Sequence, residues 1–314
     1  MTRLTIAIPS KGRLKEKSEA WLNASGFKLR QKGGGRGYSA EMDGLPDADV
    51  MLLSAREIAE ELIAGNLHVG ITGEDLLHDL SGSIETEVDV LRRLGFGGAD
   101  VIVAVPAAWL DVDTMSDLEA AGVLFRERHG RRMRVATKYL RLTRQFFANQ
   151  SVGAYRLIES PGATEAAPAA GTAEVIVDIT STGATLKANG LKILQDGVIL
   201  KSEASLAASL SATWSDDVVS TFRTFLDGIE ATASAKSLSR LEVEGTIPDE
   251  IITRFGLTLV HPNLALCLTQ HASAAARALT LAGSKTVAIA TVSQVYRADN
   301  AVFEKFVKKL SQSA

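Results

Sequence analysis

Residues 177–191, VDITSTGATLKANGL, set an acid, several hydroxyls and a glycine close together. A buried apolar run delivers Asp178 to its end. The chain then turns through Ser181, Thr182, Gly183, Ala184 and Thr185 into a helical pattern. Such a turn offers backbone N–H groups, hydroxyl donors and a helix start, all suited to a phosphate, and Gly183 lets the backbone approach closely. A carboxylate just before it suits sugar hydroxyls. On this motif alone a second use stays open: Ser181 or Thr182 can simply cap the helix.

Two further stretches carry candidate anion contacts. In IPSKGRL, Lys11 and Arg13 follow directly on an apolar run, and arginine's planar fork matches phosphate oxygens. In QKGGGRGYS, three glycines precede Arg36. This is not a Walker loop, because it lacks the Gly-Lys-Ser/Thr ending and opens no helix. It reads either as a plain flexible loop or as a lid that carries Arg36 over an anionic substrate. Lys138 and Glu74 are candidate contacts to a second substrate, but an ordinary surface role is the reading preferred for each. A basic series at Arg126, Arg128, Arg131, Arg132, Arg134, Lys138, Arg141 and Arg144 has no interleaved aromatic platform, so nucleic acid is not the expected partner. The five histidines show no metal-ligand spacing, and Cys267, in LALCLTQ, reads as a small buried hydrophobe.

These residues need elements to position them. With 46% apolar residues, 314 residues can fill two or three cores. A balance of 34 basic and 37 acidic residues, net −3, lacks the one-sided charge of a nucleic-acid or membrane-surface binder. The amino-terminal apolar run is too short for a signal peptide, and no stretch nears the roughly 18 residues of a membrane helix, so the expected location is the cytoplasm. Short β-branched runs alternate with helical periods, which predicts an α/β fold with mostly parallel strands. LTIAIPS, VMLLS and HVGIT read as strands of one half; ADVIVAVP, RMRVATKY, AYRLIES and EVIVDI read as strands of another, with GATEAAPAAG as a helix. Ligands of open sheets sit beyond the carboxyl ends of strands, where Lys11, Arg13 and the 181–185 turn fall. We expect lobe I at 1–93, completed by about 181–235, and lobe II at 94–180. Residues 236–314 read as βαββαβ with a tail, a small ferredoxin-like α+β domain.

Taken together, IAIPSKGRL, HVGITGEDLL, LGFGGADVIVAVP, RVATKYLRLTRQFF and VDITSTGATLKANGL resemble the ATP phosphoribosyltransferase family in order and spacing. The resemblance covers roughly the first 200 residues. It implies a catalytic part like the two-lobed periplasmic binding proteins, and an enzyme that joins N1 of ATP to C1′ of phosphoribosyl pyrophosphate, the first step of histidine biosynthesis. By resemblance, Thr182–Thr185 hold the 5′-phosphate and Asp178 lies near the ribose hydroxyls. Lys11 and Arg13 flank the pyrophosphate, and Arg36 helps it depart. Ser181 stands where the family often has Glu. LSARE replaces the family's frequent LRARD, so any role of that first arginine is absent or has moved. The resemblance also implies substrate-bound Mg²⁺, histidine as an effector acting through the C-terminal domain, and a homo-oligomer, dimer or hexamer. Two other classes share the phosphate turn: a two-lobed solute-binding or regulatory protein without catalysis, and a phosphoribosyltransferase for a different base.

Overall fold

The computed structural model describes residues 3–31 and 38–313. Arg36 therefore lies outside the described residues. Three sheets organise the described residues. At the centre of the first, the strand Leu4–Pro9 pairs in parallel with Ala48–Leu53 and Val69–Gly73. Leu4, Ile6, Ala7 and Ile8 are all buried, as a strand covered on both faces requires. The helices Gly12–Ala24 and Ala55–Ile63 follow the first and second of these strands. Ser54 and Glu57 start the latter with reciprocal side-chain-to-backbone bonds, the Ser54 side chain accepting from the Glu57 N–H.

The second sheet holds five strands, with Ala99–Pro106, Met133–Thr137 and Val175–Thr180 side by side at its middle with their neighbours. It carries a separate core of Val101, Val103, Met133, Val135, Phe147 and Val175. The alternation of strands and helices in both halves is as the hydrophobic runs predict, but the expected mostly parallel pairing is not found: Ala99–Pro106 runs antiparallel to Val175–Thr180, and Ala204–Ser209 antiparallel to Val69–Gly73. GATEAAPAAG forms only a short 3₁₀ turn at Thr164–Ala166, with Pro168 just beyond it.

Two boundaries are corrected. The strand Leu191–Ser202 pairs with Ala99–Pro106 and so belongs to the second lobe. The chain returns to the first sheet only with Ala204–Ser209, which pairs with Val69–Gly73; the return expected at about 181 therefore comes some twenty residues later along the chain. The two crossings between the lobes lie side by side, with the Gly95 N–H donating to the Glu203 carboxylate at 2.9 Å and the Ala204 N–H to the Phe96 carbonyl at 3.0 Å.

The third sheet is antiparallel, built from Leu238–Val243, Thr258–His261, Leu264–Leu268 and Val287–Thr291, with Leu238–Val243 between the last two. Helices Asp249–Phe255 and Thr269–Leu281 complete the expected βαββαβ unit around Leu241, Ala265, Ala275 and Leu279. Cys267 is buried there, and burial pushes its thiol up. The expected domain 236–314 nevertheless loses its last helix. Ala301–Ser313 packs on the first lobe, where Phe303 and Phe306 join the core with Trp214 and Phe222. Its Lys309 pairs with Asp89. An amphipathic helix goes where an apolar face is open to receive it, and the first lobe's long helix Asp216–Ala235 offers one.

Candidate active site

The carboxyl ends of Leu4–Pro9 and Val175–Thr180 carry the two basic and hydroxyl-rich turns, one per lobe. Between the lobes lies a cavity of about 520 Å³. Arg13, Leu14 and Lys17 of the helix Gly12–Ala24 wall it on one side; Lys138, Tyr139, Ile179 and Ser181 wall it on the other. Gly73, Asp75, Gly97 and Gly98 also line it. Arg13 and Ser181, chosen from sequence, are thus brought to one space. Lys11 is the residue that heads the helix Gly12–Ala24, exposed and extended, close enough to Glu57 to help hold that carboxyl down.

The phosphate-type turn has a defined local cause. Gly183 takes φ +71°, a left-handed conformation that favours glycine, and begins the short helix Ala184–Ala188. Thr180 Oγ1 accepts the Gly183 N–H at 2.9 Å, and Thr182 Oγ1 accepts the Ala184 N–H at 3.3 Å. Ser181, Thr182, Ala184 and Thr185 are exposed, while Gly183 and Asp178 are half-buried. Thr182 to Thr185 continue beyond Ser181 without walling the cavity themselves. Burial raises the Asp178 carboxyl; the Ile179 N–H, donating at 2.8 Å, and the charge of Lys138 work against it.

Residues that the sequence alone did not single out complete the walls. Asp75, on the helix Glu74–Leu80 of the first lobe, accepts the Tyr139 hydroxyl at 2.7 Å and the Ser202 hydroxyl at 2.8 Å, both from the second lobe. Burial and then the Asp75 charge push the Tyr139 phenol far up, so it stays a donor. A Cβ on Gly73 would stand 2.3 Å from the Asp75 carboxylate, so only glycine leaves room for that carboxylate where it sits. One turn on, Asp79 accepts the backbone N–H groups of Arg141 and Leu142, each at 3.0 Å, at the head of the second lobe's helix Leu140–Asn149. Two surface expectations change. Glu74 is only 3% exposed and takes both Arg93, at 2.7 and 2.8 Å, and Ser205. Lys138 is half-buried in the cleft, its ammonium 4.9 Å from the Tyr139 ring centroid. A four-residue step from Arg13 to Lys17, and the position of Lys138 just past a strand's carboxyl end, were the available signals. In the basic series, Arg131 and Arg134 are engaged with Glu174, at 2.9 and 2.7 Å.

Two α/β lobes joined by paired crossings, with a cation-lined cleft at their strand ends, define a two-lobed α/β protein suited to anionic small molecules. The ATP phosphoribosyltransferase family's sequence profile matches residues 54–229. The chain is 49% identical to the ATP phosphoribosyltransferase of Caulobacter vibrioides over 98% of each chain, and 46% identical to that of Rhodopseudomonas palustris over 99% of each. Among solved structures, the ATP phosphoribosyl transferase (HisG:HisZ) complex from Thermotoga maritima matches it in fold. The TM-score is 0.54 at 24% identity, covering 72% of this chain and 98% of that one. The chain belongs to the ATP phosphoribosyltransferase family, glycosyltransferases that catalyse the first step of histidine biosynthesis. Among the described residues no helix is long and apolar enough to cross a membrane.

Proposed function

We propose that the cleft holds phosphoribosyl pyrophosphate and ATP together and forms phosphoribosyl-ATP in the cytoplasm. The observation that carries this is the meeting of Arg13 and Ser181 in one cavity, which sets the hydroxyl-rich turn of one lobe opposite the basic helix of the other. Adenine N1 keeps its lone pair at neutral pH, so no base has to create the nucleophile. The N1–C1′ bond forms as the bond from C1′ to pyrophosphate breaks, and the leaving oxygen keeps the electron pair. The protein's task is to position two polyanions and to offset the charge growing on the leaving group.

In this scheme Ser181, Thr182, Gly183, Ala184 and Thr185 hold the 5′-phosphate, and Asp178 accepts the ribose hydroxyls. Lys11 and Arg13 neutralise the pyrophosphate, with Arg36 joining them by its place in the sequence. Among the described residues no group of three or more His, Cys, Asp or Glu could hold a metal. Magnesium would come with the polyphosphate as part of the substrate and would draw charge away from it. The four-stranded domain takes histidine as an effector, and the active unit is a dimer that builds a hexamer.

Incubating the protein with phosphoribosyl pyrophosphate and ATP, and then with other bases in place of ATP, tests the activity. Pyrophosphate release with ATP is the expected result; release only with another base, or none at all, would overturn it. Isothermal titration with histidine and light scattering of the intact protein test the effector and the assembly.

A further inference from the structure

Several cations of the described residues are paired with acids, whereas Arg13, Lys17 and Lys138, which wall the cleft, have no carboxylate within ion-pair distance among them. Lys15, on the same helix as Arg13 and Lys17, pairs with Glu19; Arg56 pairs with Glu60; Arg92 and Arg93 pair with Glu230 and Glu74. Among the described residues, Lys11, Arg13, Lys17 and Lys138 have no carboxylate within ion-pair distance. Among the described residues that wall the cavity Asp75 is the one acid, and its two oxygens accept the hydroxyls of Tyr139 and Ser202. The cavity therefore presents Arg13, Lys17 and Lys138 without an ion-pair partner among the described residues, Asp178 lying near enough to feel the Lys138 charge, and a chain of phosphates is a ligand that can pair with all three.

Lys11, Arg13 and the 181–185 turn are enough to bracket one polyanion. Lys17 stands four residues beyond Arg13, on the same helix face and about 6 Å further along the axis. Lys138 approaches from the opposite lobe, its ammonium held over the Tyr139 ring, whose phenol is in turn fixed by Asp75. That pair of cations has its own span and its own mount. We infer that Lys17 and Lys138 form a second anion subsite that grips the phosphate chain of the nucleotide substrate, so that the lobes are bridged through ATP as well as through the phosphoribosyl donor. Ammoniums from both lobes favour a nucleoside triphosphate over a monophosphate, since AMP has a single phosphate to offer them. This assignment rests on the function proposed above.

The test uses the full-length protein with Lys17→Met, Lys138→Met and the double variant, and Lys138→Arg as the charge-conserving control. Lys17 is exposed and Lys138 half-buried, neither has an ion-pair partner among the described residues to strand, and circular dichroism with a thermal melt checks that each variant is folded. The double variant is expected to raise KM for ATP by about tenfold or more, the loss of charge-assisted contacts, while KM for phosphoribosyl pyrophosphate changes less than about twofold. In isothermal titration its ATP and AMP affinities should converge, and Lys138→Arg should restore most of the difference. An unchanged ratio of ATP to AMP affinity would overturn the subsite, and so would a rise confined to KM for phosphoribosyl pyrophosphate. Wild-type protein that forms no phosphoribosyl-ATP sinks the proposed function instead, and the ATP and AMP titrations, which need no turnover, still decide the subsite.

Discussion

The Tyr139 hydroxyl, from the second lobe, donates to Asp75 of the first at 2.7 Å, with Tyr139 only 1% exposed and Asp75 6%. A buried carboxylate tied to a buried phenol across a lobe boundary makes the two lobes share a polar contact that neither can satisfy alone. Tyr139→Phe leaves the ring in place and takes away one donor, so Asp75 keeps only Ser202. The expected cost is about 1–3 kcal/mol of unfolding free energy, read from the midpoint of urea denaturation.

Asp79 gives a second inter-lobe contact of a different kind. Its carboxylate serves two amides at the start of Leu140–Asn149, the place where a helix has unpaired N–H groups. Asp79→Ala should destabilise the protein by about 0.5–2 kcal/mol. Asp79→Asn, which retains an acceptor oxygen, should lose less. Equal losses in the two variants, measured by denaturant titration, would contradict the capping account.

Acid should weaken the second lobe through Glu174. Burial raises that carboxyl, but hydrogen bonds from the Arg131 and Arg134 side chains and the Arg134 N–H outweigh it and hold it at about 2 against an ordinary 4.5. A carboxyl depressed in the folded state binds fewer protons there than in the unfolded chain. Its stabilising contribution is full above pH 4.5 and is lost as the pH falls from 4.5 toward 2. Glu174→Gln should flatten the fall of melting temperature across that window.

Phe306 is fully buried against Trp214 and Phe222. Phe306→Ala should cost about 3–5 kcal/mol. Hydrogen exchange should locate the damage in the first lobe's strands and in Asp216–Ala235, with the four-stranded sheet left protected.

Arg13 is exposed and unpaired among the described residues, so the fold does not depend on it. Arg13→Ala should lower kcat about 10²- to 10³-fold, the usual loss for one electrostatic contact to a developing charge, with an unchanged thermal melt. Near-normal turnover in the folded variant would remove Arg13 from the proposed role.

The strands ending in Pro9, Thr137 and Thr180 were legible because each is a compact β-branched run closed by turn residues. The turn at Gly183 was legible because its hydroxyls and glycine cluster within five residues. Leu191–Ser202 was not, because its place follows from antiparallel pairing with Ala99–Pro106 far back in the chain, with register shifts near Val198 that break a simple alternation. The last helix shows its amphipathic pattern in sequence, but not which of two domains receives it. Asp75 and Asp79 look like ordinary acids of a helix start; only the fold shows that their partners sit in the other lobe. For Lys138 the sequence leaves a substrate contact and a surface role open, and only the fold shows that Arg13 and Lys17 line the same cavity.

The return of Ala301–Ser313 to the first lobe alters what the small antiparallel unit is in architectural terms. On its way back the chain touches the helix it left by: the Val295 N–H donates to Ala231 at 2.9 Å, and Gln294 donates to Thr232 and to Ser25. Exit and re-entry are neighbours, so the unit hangs from the larger body like a loop grown into a domain. A stop codon placed before it would strip away Phe303 and Phe306 as well, whereas an internal excision with the cut ends rejoined would leave the body's own core whole.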